Sequence, residues 1–214
     1  MSAVLEKQKQ KTTVPQTNGS VFTLHLLRVE DYDKMIEHGV FNEDEKIELW
    51  DGVIIKMSPK GIKHRNATTK TTDYFYEFLR KKSLIQVQDP IRLDDFSEPE
   101  PDIVLAESPL SRYASRHPAP KDIYLIIEIA ESSIQIDRRK ALKYAQNGIR
   151  QYLILNLNTN EIEDYREPSE DGYRFKKTYT AEESFELVAF PEVEIKVSDL
   201  LPPLKASEGK QGVK

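Results

Sequence analysis

The stretch that most restricts how this chain can fold is Ile123–Ala130, IYLIIEIA, which is apolar on both of its faces apart from one carboxylate, Glu128. Eight strand-forming residues at roughly 3.3 Å each reach about 26 Å, enough to cross a sheet. A strand that is apolar on both sides belongs at the centre of a sheet covered on two faces. Helical periodicity follows over Asp137–Asn147, with Gly148 placed to close the helix. A second buried strand is then expected at Gln151–Asn156. Strand, helix and strand in that order predict a parallel crossover, and with it an α/β domain.

The remaining elements fit around that unit. A short helix is expected at Val29–Glu37, after a possible first strand at Val21–His25. IELWDGVIIKM reads as two strands about Asp51-Gly52, a pair suited to a tight turn with positive φ. Ser58-Pro59-Lys60-Gly61 stops the second strand. Ala67, Tyr74, Phe75, Phe78 and Leu79 then recur at intervals of three and four, which predicts an amphipathic helix over Lys63–Lys82 with His64 on its inward face. Short strands are expected at Ile85–Gln88, Ile91–Leu93 and Asp102–Ala106, a surface loop at Ser108–Lys121, and antiparallel strands at Glu161–Tyr165, Arg174–Tyr179 and Phe185–Val188. With 214 residues the chain suits one domain, taken as 21–201, with a polar arm over 1–20 and a loose tail over 202–214.

Cysteine is absent, which removes disulfides, thiolate zinc sites and thiol nucleophiles and suits a cytoplasmic location. No apolar run approaches the ~18 residues that a membrane span needs, so no membrane partner is expected. Net charge is −5, whereas domains that coat nucleic acid are usually basic. Charge is nonetheless unevenly spread. Lys60–Lys82 is basic and opposed only by Asp73 and Glu77, while Asp89–Glu107 is acidic and opposed only by Arg92. Two ordinary solvated faces explain this as well as a phosphodiester site does.

Glu128 is the residue out of place. An ionised carboxylate in an apolar strand must protonate or find a cation. An Arg or Lys partner at the strand end is one solution. Asp102 suggests another, because it opens a separate predicted strand directly after Pro101 and adjacent strands would bring the two acids together. Paired carboxylates suit a hard divalent cation, which takes oxygen ligands and completes its shell with water and phosphate. Such an ion activates water and neutralises charge building on a phosphate.

Pro101-Asp102, followed by a buried strand ending in Glu128-Ile129-Ala130, resembles the PD-(D/E)XK nuclease pattern. More closely, the chain resembles the Uma-type restriction-endonuclease family within that superfamily. IELWDGVIIKMSPKGIKH, EPEPDIVLA, YASRHPAP and IIEIAESSIQIDRRKALKYAQNGIRQYLILNL, in that order from about Val21 to Leu201, carry the likeness. It implies a restriction-endonuclease-like mixed β-sheet flanked by helices, with added antiparallel strands. It also implies Asp102 and Glu128 as metal ligands. The lysine of the pattern is replaced by Ala130, and the family supplies a lysine from the next helix, here Lys140. Asp137 and Lys140 are three apart where the family spaces them by four, and Asp137 also fits the N-cap position. On a helical wheel Lys140 lies at the edge of the sheet-facing side, and Lys143 points nearly opposite.

Glu48 matches an acidic residue before the Asp-Gly turn and would support the metal or its surroundings; a solvent-facing strand glutamate is the plainer alternative. His64 matches a histidine expected to touch a phosphate or a metal-bound water, or else to be hydrogen-bonded inside the domain. Tyr144 is expected mainly to pack. The resemblance thus implies an endonuclease that hydrolyses DNA with Mg2+ (or Mn2+), using Asp102, Glu128, Lys140 and Glu48, and it is compatible with a homodimer. The alternative is a catalytically inactive nuclease fold serving as a nucleic-acid-binding or protein-interaction module.

Overall fold

The computed structural model describes residues 13–15, 21–42 and 44–202. The expected arm over 1–20 lies outside them except for strand β1 (Thr13–Pro15), which pairs antiparallel with β2 (Val21–Thr23). The expected tail lies outside them from residue 203 onward.

Helix α1 (Val29–Glu37) leads to the hairpin β3 (Ile47–Trp50) and β4 (Val53–Lys56). Helix α2 (Ile62–Leu79) precedes β5 (Ser83–Val87) and β6 (Ile103–Glu107). The apolar run is β7 (Ile123–Ala130), followed by α3 (Ile134–Gln146) and β8 (Gln151–Asn156). After these come β9 (Glu161–Ser169), β10 (Gly172–Tyr179), β11 (Ser184–Leu187), β12 (Phe190–Lys196) and the short α4 (Val197–Leu200). Strands β10-β9-β8-β7-β6-β5 form one six-stranded sheet, in which β7 and β8 are parallel and every other pair is antiparallel. This is the mixed sheet expected of the fold, with β7 near its centre.

Alternation along β7 decides what each face buries. Leu125, Ile127 and Ile129 join Phe75 and Leu79 of α2, together with residues of β11, β12 and α4. Ile126 and Ala130 turn to the other face, where Ala141 and Tyr144 of α3 cover them. Glu128 shares the α3 face. The β3–β4 hairpin packs Ile47 and Leu49 against Val29 and Tyr32 of α1. It is tied to the main domain by backbone hydrogen bonds from Glu98 N–H to Leu49 O (2.8 Å) and from Gly52 N–H to Phe96 O (2.7 Å).

Three expectations need correction, and two elements were not expected. Ile91–Leu93 is buried but forms no strand: Pro90 has no donor, and Ile91 and Leu93 donate instead to Pro99 O and Ser97 O. Helix α3 begins at Ile134, directly after Ser133, and Ile134 packs on the α3-side core. Asp137 therefore lies inside the first turn and is not the N-cap. Phe78 is 47% exposed although its spacing fits the inward stripe of α2. Strand β12 and helix α4, which close the α2 side, carry alternating charge that masked them in the sequence.

Asp51 and Gly52 turn the hairpin with φ of 51° and 77°. A Cβ on Gly52 would sit 2.6 Å from Leu26 Cβ and 3.1 Å from Leu27 O. Gly52→Ala is expected to lower unfolding free energy by more than ~1 kcal/mol, read from the urea midpoint. An unchanged midpoint would mean that the turn is not seated against Leu26 and Leu27.

Candidate active site

The β6–β7 register sets the centre of the site. Ile103 lies opposite Ile127 and Val104 opposite Ile126, so one step further along the ladder Asp102 faces Glu128. Side chains opposite one another in an antiparallel pair start from Cβ atoms ~4.5–5.5 Å apart on the same face. Both acids are buried, at 1% and 4% exposure. Strand-forming sequence after Asp102 (Ile103–Glu107) and before Glu128 (Ile123–Ile127) holds them there whatever the cost to the carboxylates.

Asp102 is saturated with donors. Its Oδ2 accepts from Ile129 N–H (2.8 Å) and lies 2.9 Å from His64 Nε2, while Oδ1 accepts from Lys60 Nζ (2.9 Å) and Gln88 Nε2 (3.4 Å). Burial alone would push this carboxyl up. The His64 hydrogen bond, the Lys60 charge and the Ile129 N–H outweigh it and hold Asp102 down at about 2. His64 is itself enclosed, with Nδ1 3.3 Å from Thr68 Oγ1. Both ring nitrogens are engaged inside the protein, so the histidine acts on Asp102 and is not presented to solvent. Gln88 reaches Asp102 from a left-handed backbone conformation, φ 54°, which costs a non-glycine residue about 1–2 kcal/mol.

Glu128 is held from α3 and the hairpin. Lys140 Nζ lies 3.0 Å from Glu128 Oε1 and 3.6 Å from Glu48 Oε1, and the Tyr144 hydroxyl donates to Glu128 Oε1 at 3.3 Å. Glu48 Oε2 accepts from Glu100 N–H (3.3 Å). The Trp50 ring closes this flank, edge-on to Tyr144 and 5.6 Å from Lys140 Nζ. Burial pushes Glu128 up to about 8; Lys140 opposes the rise, and Asp137, Asp102 and Glu48 add to it. Burial would lower Lys140, but Glu128, Glu48 and Asp137 raise it above its ordinary value and keep it cationic. Burial likewise raises Asp137, whose Oδ2 accepts from Ser133 Oγ at 2.6 Å.

Four buried carboxylates, Glu48, Asp102, Glu128 and Asp137, thus share two ammonium groups, Lys60 and Lys140. Fully ionised, four against two leaves an excess of two negative charges. That deficit and the hard oxygen donors fit one divalent cation of the magnesium type. Among the described residues no group of three or more His, Cys, Asp or Glu side chains stands ready to hold a metal. Magnesium needs only one or two protein carboxylates, and in this structure a lysine lies on one oxygen of each central acid.

Of the residues singled out in the sequence, Glu48, His64, Asp102, Glu128 and Lys140 all meet in one place. The three-residue spacing from Asp137 leaves Lys140 in contact with Glu128. Lys143 does not point away into solvent: the hairpin covers that flank, and Lys143 pairs with Asp51 and with Asp94 (3.0 Å) while lying 5.7 Å from the Trp50 ring centre. Sequence reasoning missed Lys60, Gln88 and the hydrogen bond of Tyr144. Lys60 stands one turn before His64 in the basic stretch, which is a usable signal. Gln88 carries none.

The Uma2 family, described as "Putative restriction endonuclease", matches residues 29–198. Among solved structures, a protein of Anabaena variabilis ATCC 29413 described as a "putative nuclease belonging to DUF820" superimposes with a TM-score of 0.64 at 14% identity, covering 81% of this chain and 97% of that one. At that identity the likeness bears on the fold. No curated protein matches the chain.

Glu128 makes stability depend on pH in a definite direction. Its folded pKa of about 8 lies above the ordinary 4.5. Below 4.5 the carboxyl is neutral in both states and costs nothing. Between 4.5 and 8 the unfolded chain releases the proton that the fold retains, so stability falls as pH rises. Lys140, raised above 10.5, does not change across that window. Glu128→Gln is therefore expected to match the parent near pH 4.5 and to gain on it by up to about 1.4 kcal/mol per pH unit towards pH 8. Urea unfolding at several pH values measures this, and a constant difference would show that Glu128 stays ionised throughout.

Proposed function

This chain belongs to the Uma2 family, and on that premise we propose that it is a metal-dependent endonuclease hydrolysing DNA phosphodiester bonds. What carries the reading is the meeting of Asp102, Glu128 and Lys140, drawn from the start of β6, from β7 and from α3, at one buried point short of positive charge.

Asp102 and Glu128 are the residues that would hold the cation, magnesium or manganese. When bound, it supplies positive charge to the phosphate and lowers the pKa of an attacking water. Lys140, kept cationic by Glu128 and Glu48, stabilises the charge that builds on the phosphate oxygens as the water oxygen bonds to phosphorus and the ester oxygen departs. Glu48 aims Lys140 and is itself steadied by the Glu100 N–H. Lys60 and His64 keep Asp102 ionised and fixed in orientation. Trp50 and Tyr144 shield the lysine from bulk water, which strengthens its field. Exposed Lys63 and Arg65, in the first turn of α2, are placed to meet the DNA backbone, so binding should weaken as salt rises. Cleaving both strands of a duplex would call for two copies of this site in a symmetric dimer.

A second reading, a nuclease fold that binds nucleic acid or protein without cutting, is favoured by one observation. Lys60 and Lys140 already occupy one oxygen of each central acid. Magnesium calorimetry on the full chain separates the two readings. The enzyme is expected to bind magnesium and to lose that binding in Asp102→Ala. Lys140→Met is expected to retain magnesium while cleavage of duplex DNA falls by about 10²–10³. A chain that binds DNA but takes up no magnesium and leaves the DNA intact would overturn the enzyme reading in favour of the second.

A further inference from the structure

A cleft of about 730 Å³ opens between α1 and the loop before β7. Tyr32, Asp33, Arg92, Glu98, Tyr113 and Arg116 are among the residues that line it. Glu98 is 3% exposed, and its Oε2 is buried without a hydrogen-bond partner; Arg92 Nη1 comes only to 3.6 Å. Among the described residues no other charged side chain has a buried polar atom in that condition. Burial and the nearby Asp33 raise Glu98 to about 7 against the pull of Arg92, whose guanidinium stops short of a hydrogen bond to Oε2. An unpaired buried acceptor is costly, and a ligand that brings an N–H removes the cost.

The other wall is flat. The Arg116 guanidinium lies 5.1 Å from the centre of the Tyr113 ring. Asp122 accepts from both of its terminal nitrogens, at 2.6 and 3.2 Å, and so fixes its plane. The Tyr113 hydroxyl is occupied by Glu107 O (2.8 Å), which leaves the ring face as the surface on offer. Aromatic rings and guanidinium planes of this kind stack splayed bases. Arg92 is already paired with Asp33 and Arg116 with Asp122, and a neutral planar amine satisfies Glu98 without adding charge. Asp102 stands four positions after Glu98, at most about 14 Å of chain, so the cleft lies within a few nucleotides of the paired acids.

We propose that this cleft takes one base of the substrate strand out of its stack and prefers cytosine to thymine, the exocyclic amine of cytosine donating to Glu98 Oε2 while its ring lies on the Tyr113–Arg116 surface. Above pH 7, where Glu98 is ionised, thymine would present a carbonyl oxygen where that amine donates, setting lone pairs against the carboxylate. The choice of a DNA strand as ligand rests on the nuclease reading.

The test is a ligand-observed NMR titration of the full chain with dCMP and dTMP in EDTA at a pH of about 8, where Glu98 is mostly ionised. Neither probe contains a phosphodiester, so the result does not depend on cleavage. dCMP should bind at least about five-fold more tightly than dTMP. That preference should vanish in Glu98→Leu, and both nucleotides should weaken by about five-fold or more in Tyr113→Leu. Equal affinities, no dCMP binding at millimolar concentration, or a preference that survives in a folded Glu98→Leu protein would each overturn the proposal. If Glu98→Leu fails to fold, Tyr113→Leu decides, and unchanged binding there overturns it. Magnesium-dependent cleavage without a dCMP preference sinks the cleft alone. A dCMP preference without cleavage sinks the nuclease reading and leaves the cleft standing.

Discussion

A carboxylate at the middle of a sheet that is apolar on both faces is a liability of several kcal/mol unless something meets it. The arrangement around Glu128 is largely the response to that liability. Strand β7 cannot shift by one residue to free the acid, because a slip would turn Ile126 and Ala130 onto the wrong face along with it. The partners therefore come to Glu128. Helix α3 brings Lys140 and Tyr144, and the β3–β4 hairpin brings Glu48 and covers the approach with Trp50. The ion pair is poor evidence of net stability, since desolvation offsets much of its attraction. Its effect is to make the positions of three elements depend on one another.

Asp102 and Glu128 occupy mirror positions in the ladder yet sit in opposite electrostatic states. Asp102 is surrounded by donors from the entrance to α2, from Gln88 and from the β7 backbone, and it is ionised well below the ordinary range. Glu128 has one strong cation and three acidic neighbours, and it is held up near 8. Two acids with separated affinities for the proton divide work more readily than two alike ones. One is permanently negative. The other can give up a proton when positive charge arrives.

Much of this was legible in the sequence because the strongest signals were local. The run Ile123–Ala130 could only be a central strand, and Asp51-Gly52 between two β-prone runs could hardly be anything but a hairpin turn. Glu128 and Asp102 stood out because charge conflicts with an apolar surrounding or because a strand began at the acid. Contacts of long range without such conflict were not legible. Gln88 is an unremarkable polar residue until the sheet register brings its amide to Asp102, and Lys143 looked solvent-facing because nothing near it in the chain announces that a hairpin will lie over α3. Strand β12 was hidden by its own charges, since its buried Ile195 is flanked by exposed Glu194 and Lys196.

Trp50 lies within 6 Å of the ammonium groups of both Lys140 and Lys143, one turn apart on α3. Two cations on a single indole fix the rotational phase of the helix, which neither could do alone. Residues gained or lost in the short connection Glu131–Ser133 can then be absorbed before the helix starts. An insertion inside α3 ahead of Lys140 would instead swing that lysine by about 100° per residue and away from Glu128. Variation in the length of this region should accordingly be permitted outside the helix and forbidden within it, so the distance in sequence from Glu128 to Lys140 is a looser constraint than the helical angle at which Lys140 arrives.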